Sequence, residues 1–236
     1  RVILTFGLLS PNKGVEYMIQ ALPPIVKRHP DVVYTVLGAT HPHVRKTEGE
    51  RYRLSLERMA RELGVADHVI FHNRFVELKE LCEFLGAADV YVTPYLDEAQ
   101  IVSGTLAYAM GVGKATVSTP YWYAQEMTND GRGVIVPFKD PDTLSGAVTG
   151  LLERDVERNA MRKRAYMYSR NAVWSQVARE YLRLFEEVRG KRASGPRHVF
   201  DGRALLSERP SLPELRLDHL IRLTHESGIV QHATFS

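Results

Sequence analysis

An α/β fold built on a doubly wound parallel sheet is predicted for this 236-residue chain. Three observations predict it. Short runs rich in Val and Ile, of the kind that form strands buried on both faces, recur along the chain. They alternate with stretches of about 10–15 residues whose apolar side chains return at helical spacing. The segments after the strands carry Gly, Ser, Asn and Pro, which break regular structure.

Taken in order, Val2–Phe6 is an apolar run suited to a buried strand. The loop from Gly7 to Gly14 follows, and Val15, Met18, Ile19, Leu22, Ile25 and Val26 then mark a helix. Val32–Leu37 is the second strand, ended by Gly38; residues 40–50 are polar. Tyr52, Leu56, Met59, Ala60 and Leu63 predict a helix stopped by Gly64. Val69–Phe71 is the third strand, Leu78–Leu85 a helix and Val90–Val92 the fourth strand. After the turn at Gln100–Thr105, Leu106, Ala109 and Met110 form the apolar face of another helix. Ala115–Ser118 and Val134–Val136 are short strands, with the aromatic cluster Tyr121-Trp122-Tyr123 and Glu126 on the loop between them. Helices are predicted around Leu144–Leu152, over Val156–Ser169, and from Trp174 to Val188, where seven apolar residues make the clearest amphipathic stripe.

Composition bounds the function. Lys and Arg number 31 against 28 Asp and Glu, and the resulting +3 is spread along the chain, which argues against a nucleic-acid partner. The single cysteine, Cys82, allows no internal disulfide and fits a reducing, cytoplasmic setting. Its spacing with Leu78, Leu81 and Leu85 predicts a buried structural thiol. No apolar run reaches the roughly 18 residues of a transmembrane helix. The chain opens inside a strand without a methionine, as expected of a piece of a longer protein. Residues 1–189 are predicted to form the sheet domain, 190–212 a linker, and 213–236 the start of a further domain or a docked tail.

Ligands of doubly wound parallel sheets bind at the carboxyl ends of the strands. The loops at Gly7, Gly38, Asn73–Arg74 and Gln100 all follow strands, so all lie on that rim. Ser103 and Thr105 can cap the helix that follows them, and Gly104 lets a ligand approach the backbone. A helix start bared by small residues favours an anion, through its unpaired amides and its dipole. Lys13 can neutralise a diphosphate held there; a solvated loop lysine is the alternative. Gln100, Asp97 and Glu98 can bond sugar hydroxyls, or simply face water. Tyr108 falls within the helix and reads as a half-buried packing residue. Neither a phosphate-binding Gly-x4-Gly-Lys-Ser/Thr loop nor a Gly-x-Gly-x-x-Gly fingerprint is present. His41 and His43 lack a third ligand, and His68 and His72 bracket a strand, so no metal site is expected.

Phe6-Gly7, Lys13-Gly14, Gly38, Ala87 through Pro94, Ala109-Met110, Gly113-Lys114, Glu126, Asp130-Gly131, Gly133 and Pro137 together resemble the donor-binding, Rossmann-like C-terminal half of the retaining GT-B glycosyltransferases of family 4. The match runs from about Val2 to Phe185. The resemblance implies that Lys13 binds the donor phosphates and that Val102, Ser103, Gly104 and Thr105 hold the diphosphate and sugar. It implies that the Asn73–Arg74 loop faces the base, and that Gly7, Gly14, Gly38 and Glu126 belong to the donor site. The donor would be a nucleotide-sugar, needed as substrate without cofactor or metal. The acceptor, a glycan or lipid, would be bound mainly by a separate N-terminal half, so the chain alone would turn over no acceptor. Five positions depart from the family pattern, the Phe-Gly between its two glutamates becoming Val102-Ser103. An arginine expected after the first glycine is Leu8, and two glutamates fall on Gln100 and Tyr108. A scaffold that kept the fold without catalysis, and an epimerase or phosphorylase on the same architecture, remain as alternatives.

Overall fold

The computed structural model of the chain describes residues 1–194. Residues Arg1–Leu182 form one compact unit that carries the sheet, and a second unit begins at Arg183. The strands are β1 (Val2–Phe6), β2 (Val33–Leu37), β3 (Val69–His72), β4 (Val90–Thr93), β5 (Ala115–Ser118) and β6 (Val134–Ile135). The helices are α1 (Val15–Arg28), α2 (Pro42–Glu48), α3 (Arg51–Glu62), α4 (Leu78–Ala87), α5 (Gly104–Gly111), α6 (Trp122–Thr128), α7 (Pro141–Glu153), α8 (Asp155–Ser169) and α9 (Trp174–Ser194). The linker expected at 190–212 and the segment 213–236 lie, from residue 195 on, outside the described residues.

The six strands form one sheet in the order β3-β2-β1-β4-β5-β6, and every neighbouring pair is parallel. The order reverses at β1, which pairs with β2 on one side and β4 on the other. All carboxyl ends therefore share one rim, and the reversal opens a crevice above β1 and β4. Successive side chains leave a strand on opposite faces. Ile3 accordingly joins Met18, Ile19, Leu22, Leu56 and Val148 on one side of the sheet. Leu4 joins Leu85, Tyr91, Leu106, Met110 and Tyr121 on the other. Both layers exclude water almost completely, so the sheet is covered on both faces as predicted.

Two local expectations need correction, and one helix is added to them. The stretch Tyr121–Glu126 is not a loop: α6 begins at Trp122 and packs Ala124, Met127 and Thr128 inward. The polar stretch after Thr40 holds the surface helix α2, opened by Pro42 and capped by the His41 ring, which accepts from the His43 amide at 3.2 Å. Cys82 is exposed rather than buried. The stripe that α4 turns to the core runs through Leu81, Phe84, Leu85 and Ala88, one step around the helix from Leu78 and Cys82. Helix α9 forms as predicted, yet Trp174 is 87% exposed and Leu182 60%.

Helix ends are treated unequally. On a parallel sheet the helices run antiparallel to the strands, so their carbonyl ends gather at the amino rim. There, cationic side chains cap them. Arg158 donates to Leu151 O at the end of α7 (2.7 Å), and Arg162 to Gly113 O just beyond α5 (3.0 Å). Arg164 donates to Gly131 O at 2.9 Å, and Arg132 to the Met127 and Glu126 carbonyls of α6. Lys114 is buried with its ammonium on Gly86 O and Ala88 O, 2.9 and 2.8 Å away, at the end of α4. Apart from Arg164, whose acceptor lies in the turn after α6, each cation meets the negative end of a helix dipole.

Candidate functional site

The loops after β1 and β2 touch through bare backbone. Gly38 has φ +139°, and a Cβ built on it would stand 2.0 Å from Gly7 O. Gly7 has φ +132°, and a Cβ there would meet the Thr105 methyl of α5 at 3.2 Å. Only glycine serves both the conformation and the approach. Above this floor lies a cleft of about 380 Å3. Gly7, Gly38, Arg74, Gly104, Thr105 and Tyr108, all singled out in the sequence, line it. So do Leu8, Phe75, Val76, Leu78 and Leu81, which make much of the lining apolar. A Cβ added at Gly104 would meet nothing within 4 Å, so the backbone at the start of α5 is open.

Lys13 ends a short 3-10 turn, Pro11–Lys13, and Gly14 follows in the left-handed conformation. A Cβ on Gly14 would lie 2.0 Å from Pro94 O, and the Leu96 amide bonds Asn12 O at 2.9 Å. The lysine loop is thus clamped to the chain leaving β4. Between the clamps stands Tyr95, 1% exposed. The Lys13 ammonium sits 3.8 Å above the centre of its ring. Its phenol is 2.8 Å from the Thr105 hydroxyl. Lys13 and the start of α5 therefore share one rim and one intervening side chain. Burial holds the Lys13 ammonium below the usual lysine range, and the Asp97 carboxylate opposes part of that shift. Tyr95 had no signal in the sequence beyond its place after Pro94; its role emerges only from the packing.

At α5 itself, Ser103 is the N-cap: its hydroxyl accepts the Leu106 amide at 3.3 Å and lies 3.2 Å from Thr105 Oγ1. Among the described residues no acceptor takes the amides of Gly104 and Thr105. These are two of the donors that a helix start leaves without an internal partner.

The remaining predicted residues are placed around this centre. Gln100 turns its amide back onto Val102 O at 2.9 Å, and Val102 is 68% exposed. Asn73 is engaged away from the cleft: its carbonyl oxygen accepts the Thr40 amide at 3.3 Å and its amide group donates to Glu50. Arg74 is held by both oxygens of Glu80. Tyr108 is 48% exposed at the cleft wall, so it faces the opening rather than filling the core. Glu126 is exposed on α6 and is not among the residues that line the cleft. That helix is pinned to the Gln100 loop, Trp122 N to Glu98 O at 3.0 Å and Tyr123 N to Gln100 O at 3.2 Å. His68 bonds Val32 O through its ring at 2.9 Å, and His72 packs edge-on against Phe84.

Residues 1–154 match the family model of the glycosyl transferases group 1. A phosphatidyl-myo-inositol mannosyltransferase of Mycolicibacterium smegmatis is 31% identical over 192 residues, which cover 80% of this chain and 46% of that protein. The chain thus spans about half the length of the curated relatives it matches. In fold it is similar to the C-terminal domain of a glycosyl transferase group 1 protein from Francisella tularensis. There the TM-score is 0.60 at 19% identity, over 70% of this chain and 81% of that one. It is also similar to the Anabaena protein HepE, solved with UDP and glucose, with TM-score 0.62 at 20% identity over 71% of this chain and 43% of that one. Taken with the parallel sheet and the cleft at its reversal point, these matches lead to one conclusion: the chain belongs to the glycosyl transferases group 1 family, with the Rossmann-like fold of the C-terminal domain of a GT-B glycosyltransferase.

Proposed function

We propose that this chain is the nucleotide-sugar-binding half of a retaining glycosyltransferase that moves a hexose from a nucleoside diphosphate to a glycan or lipid acceptor. The observation that carries this reading is the pairing of Lys13 with the start of α5 across Tyr95, beside a cleft that Gly104 and Thr105 line. The mannosyltransferase relative and the UDP-bound neighbour support it.

In this scheme the Lys13 ammonium and the amides of Gly104 and Thr105 receive the diphosphate. Gly7, Gly14 and Gly38 let the backbones close beneath it. Arg74 and Phe75, with Asn73 behind them, take the base side of the cleft, and Tyr108 borders the ribose. Gln100, Val102, Ser103 and Glu126 belong to the hexose side. As the bond from sugar C1 to the phosphate oxygen breaks, its electron pair stays on that oxygen. Fixed positive groups that need no reorganisation stabilise this developing charge. The acceptor hydroxyl oxygen then bonds C1 on the face the phosphate left, and its proton passes to the departing phosphate oxygen.

Calorimetric titration of the chain with UDP and with GDP, each in the presence of EDTA, tests the reading. Binding that Lys13→Ala weakens about tenfold is expected, since a charge-assisted contact is worth that much. A non-catalytic scaffold is the second reading. Three observations favour it: Leu8 at the cleft, Tyr108 in place of a carboxylate, and a Gln100 amide spent on its own loop. No heat with either nucleotide at about 1 mM would decide for the scaffold.

A further inference from the structure

The diphosphate grip has two parts that come from distant points in the chain, a lysine before α1 and a helix start after β4. Something must fix the distance between them. The backbone around Lys13 is fixed by the Gly14–Pro94 approach and the Leu96–Asn12 hydrogen bond, but these leave the long lysine side chain free to rotate. Tyr95 is the group that the ammonium rests on.

We propose that Tyr95 is the positioning residue of this site, a role that rests on the donor-binding reading above. Its ring face carries the Lys13 ammonium and its phenol holds the Thr105 hydroxyl, so a single buried side chain sets the spacing of the two halves of the grip.

Tyr95 is built for such a role. Its ring stacks on that of Tyr121, with centroids 5.4 Å apart and planes 18° from parallel. Tyr121 is itself buried, with its phenol 3.3 Å from Thr93 Oγ1. A ring clamped in this way cannot tilt without opening the core. Its negative face attracts an ammonium that burial has partly stripped of water, which is where a cation–π contact is strongest. At the other end, Thr105 Oγ1 is shared between Tyr95 and Ser103, the residue that caps α5.

The test uses Tyr95→Leu, which removes both contacts, Tyr95→Phe, which keeps the ring face, and the double variant Lys13→Ala/Tyr95→Leu. Proton spectra of the unliganded chain report the ring directly. The Lys13 ε-methylene is expected upfield in the parent and in Tyr95→Phe, and at its ordinary position in Tyr95→Leu. Affinity for UDP or GDP is expected to fall about tenfold in Tyr95→Leu and about threefold in Tyr95→Phe. The double variant should bind within about twofold of Lys13→Ala alone, because the two residues act as one unit. Uridine or guanosine, which lack phosphate, should bind all five proteins alike, the parent and Lys13→Ala included; a general loosening of the fold would weaken these too. Full additivity of the two single losses, or undiminished diphosphate affinity in Tyr95→Leu, would overturn the proposal while leaving the donor reading intact. Absence of diphosphate binding by the parent chain would overturn the donor reading and the grip with it.

Discussion

Replacing Gly38 with alanine tests the floor of the cleft. The added methyl would stand 2.0 Å from Gly7 O, well inside van der Waals contact, and its neighbour is backbone that cannot rotate away. Relief requires the loops after β1 and β2 to part. Two hydrogen bonds hold them at this point, Gly7 N to Leu37 O at 2.9 Å and Leu9 N to Ala39 O at 2.9 Å. A side chain at the positive φ costs about 1–3 kcal/mol, and weakening the two bonds adds about 1 kcal/mol each. The expected loss is about 3–5 kcal/mol, a large share of the stability of an ordinary domain. For a chain of this size the melting temperature should fall on the order of 10 °C. Gly64→Ala is the control, because its φ is also positive, +69°, while an added Cβ would meet nothing within 4 Å. That variant should lose only about 1 kcal/mol, the cost of the left-handed conformation partly offset by the lower entropy of the unfolded chain. Urea unfolding of both proteins, followed by circular dichroism, measures the difference. If Gly38→Ala loses no more than Gly64→Ala, close backbone approach is not what the glycine serves, and the account of the floor is wrong.

Other expectations follow from the same geometry. Lys114→Met should cost about 2 kcal/mol, measured by denaturant unfolding, since two helix-end carbonyls lose an ionic donor while the burden of a buried ammonium is lifted. Ser103→Ala should cost about 1 kcal/mol through loss of the N-cap on Leu106, again read from the unfolding midpoint. Lys13→Met should stabilise the unliganded chain at neutral pH, even though it weakens diphosphate binding. Burial lowers the Lys13 pKa in the folded state below its ordinary 10.5, so between the two values the unfolded chain binds more protons and stability rises with pH. The variant lacks that rise. Its advantage over the parent should shrink as pH climbs through the lowered value towards 10.5, and a constant difference across the series would refute the assignment.

The sheet was legible because each of its strands is short, apolar and bounded by breakers. β1 and β5 begin and end where their sequence patterns do. Helical spacing carried α1 through Pro23 and Pro24, since its buried residues continue to Ile25 and outweigh two missing amides. The pattern failed where it had too few turns to speak. α6 has seven residues and opens with aromatic ones that favour strands, so Ala124, Met127 and Thr128 were too short a series to reveal a helix. α2 buries nothing and has no periodic signal at all. Cys82 shows a different limit: spacing identifies a helix but leaves its rotation uncertain by one residue, enough to move a thiol from core to solvent. In the cleft, the glycines and the small residues of α5 were readable because each answers a backbone requirement. Tyr95 was not, because contacts between Lys13, Tyr95 and Thr105 depend on how three separate segments cross.

The capping of the helix ends has a consequence for the whole molecule. Arginines and Lys114 cover the negative ends of α4, α5, α6 and α7, while the amides of Gly104 and Thr105 stay uncovered at the far side. A net charge of only +3 therefore conceals a lopsided field, with cations at one pole already committed to carbonyls and the uncommitted positive potential at the other. A small anion drifting towards the protein is drawn to the pole that still has something to offer, and it is oriented before it touches any side chain.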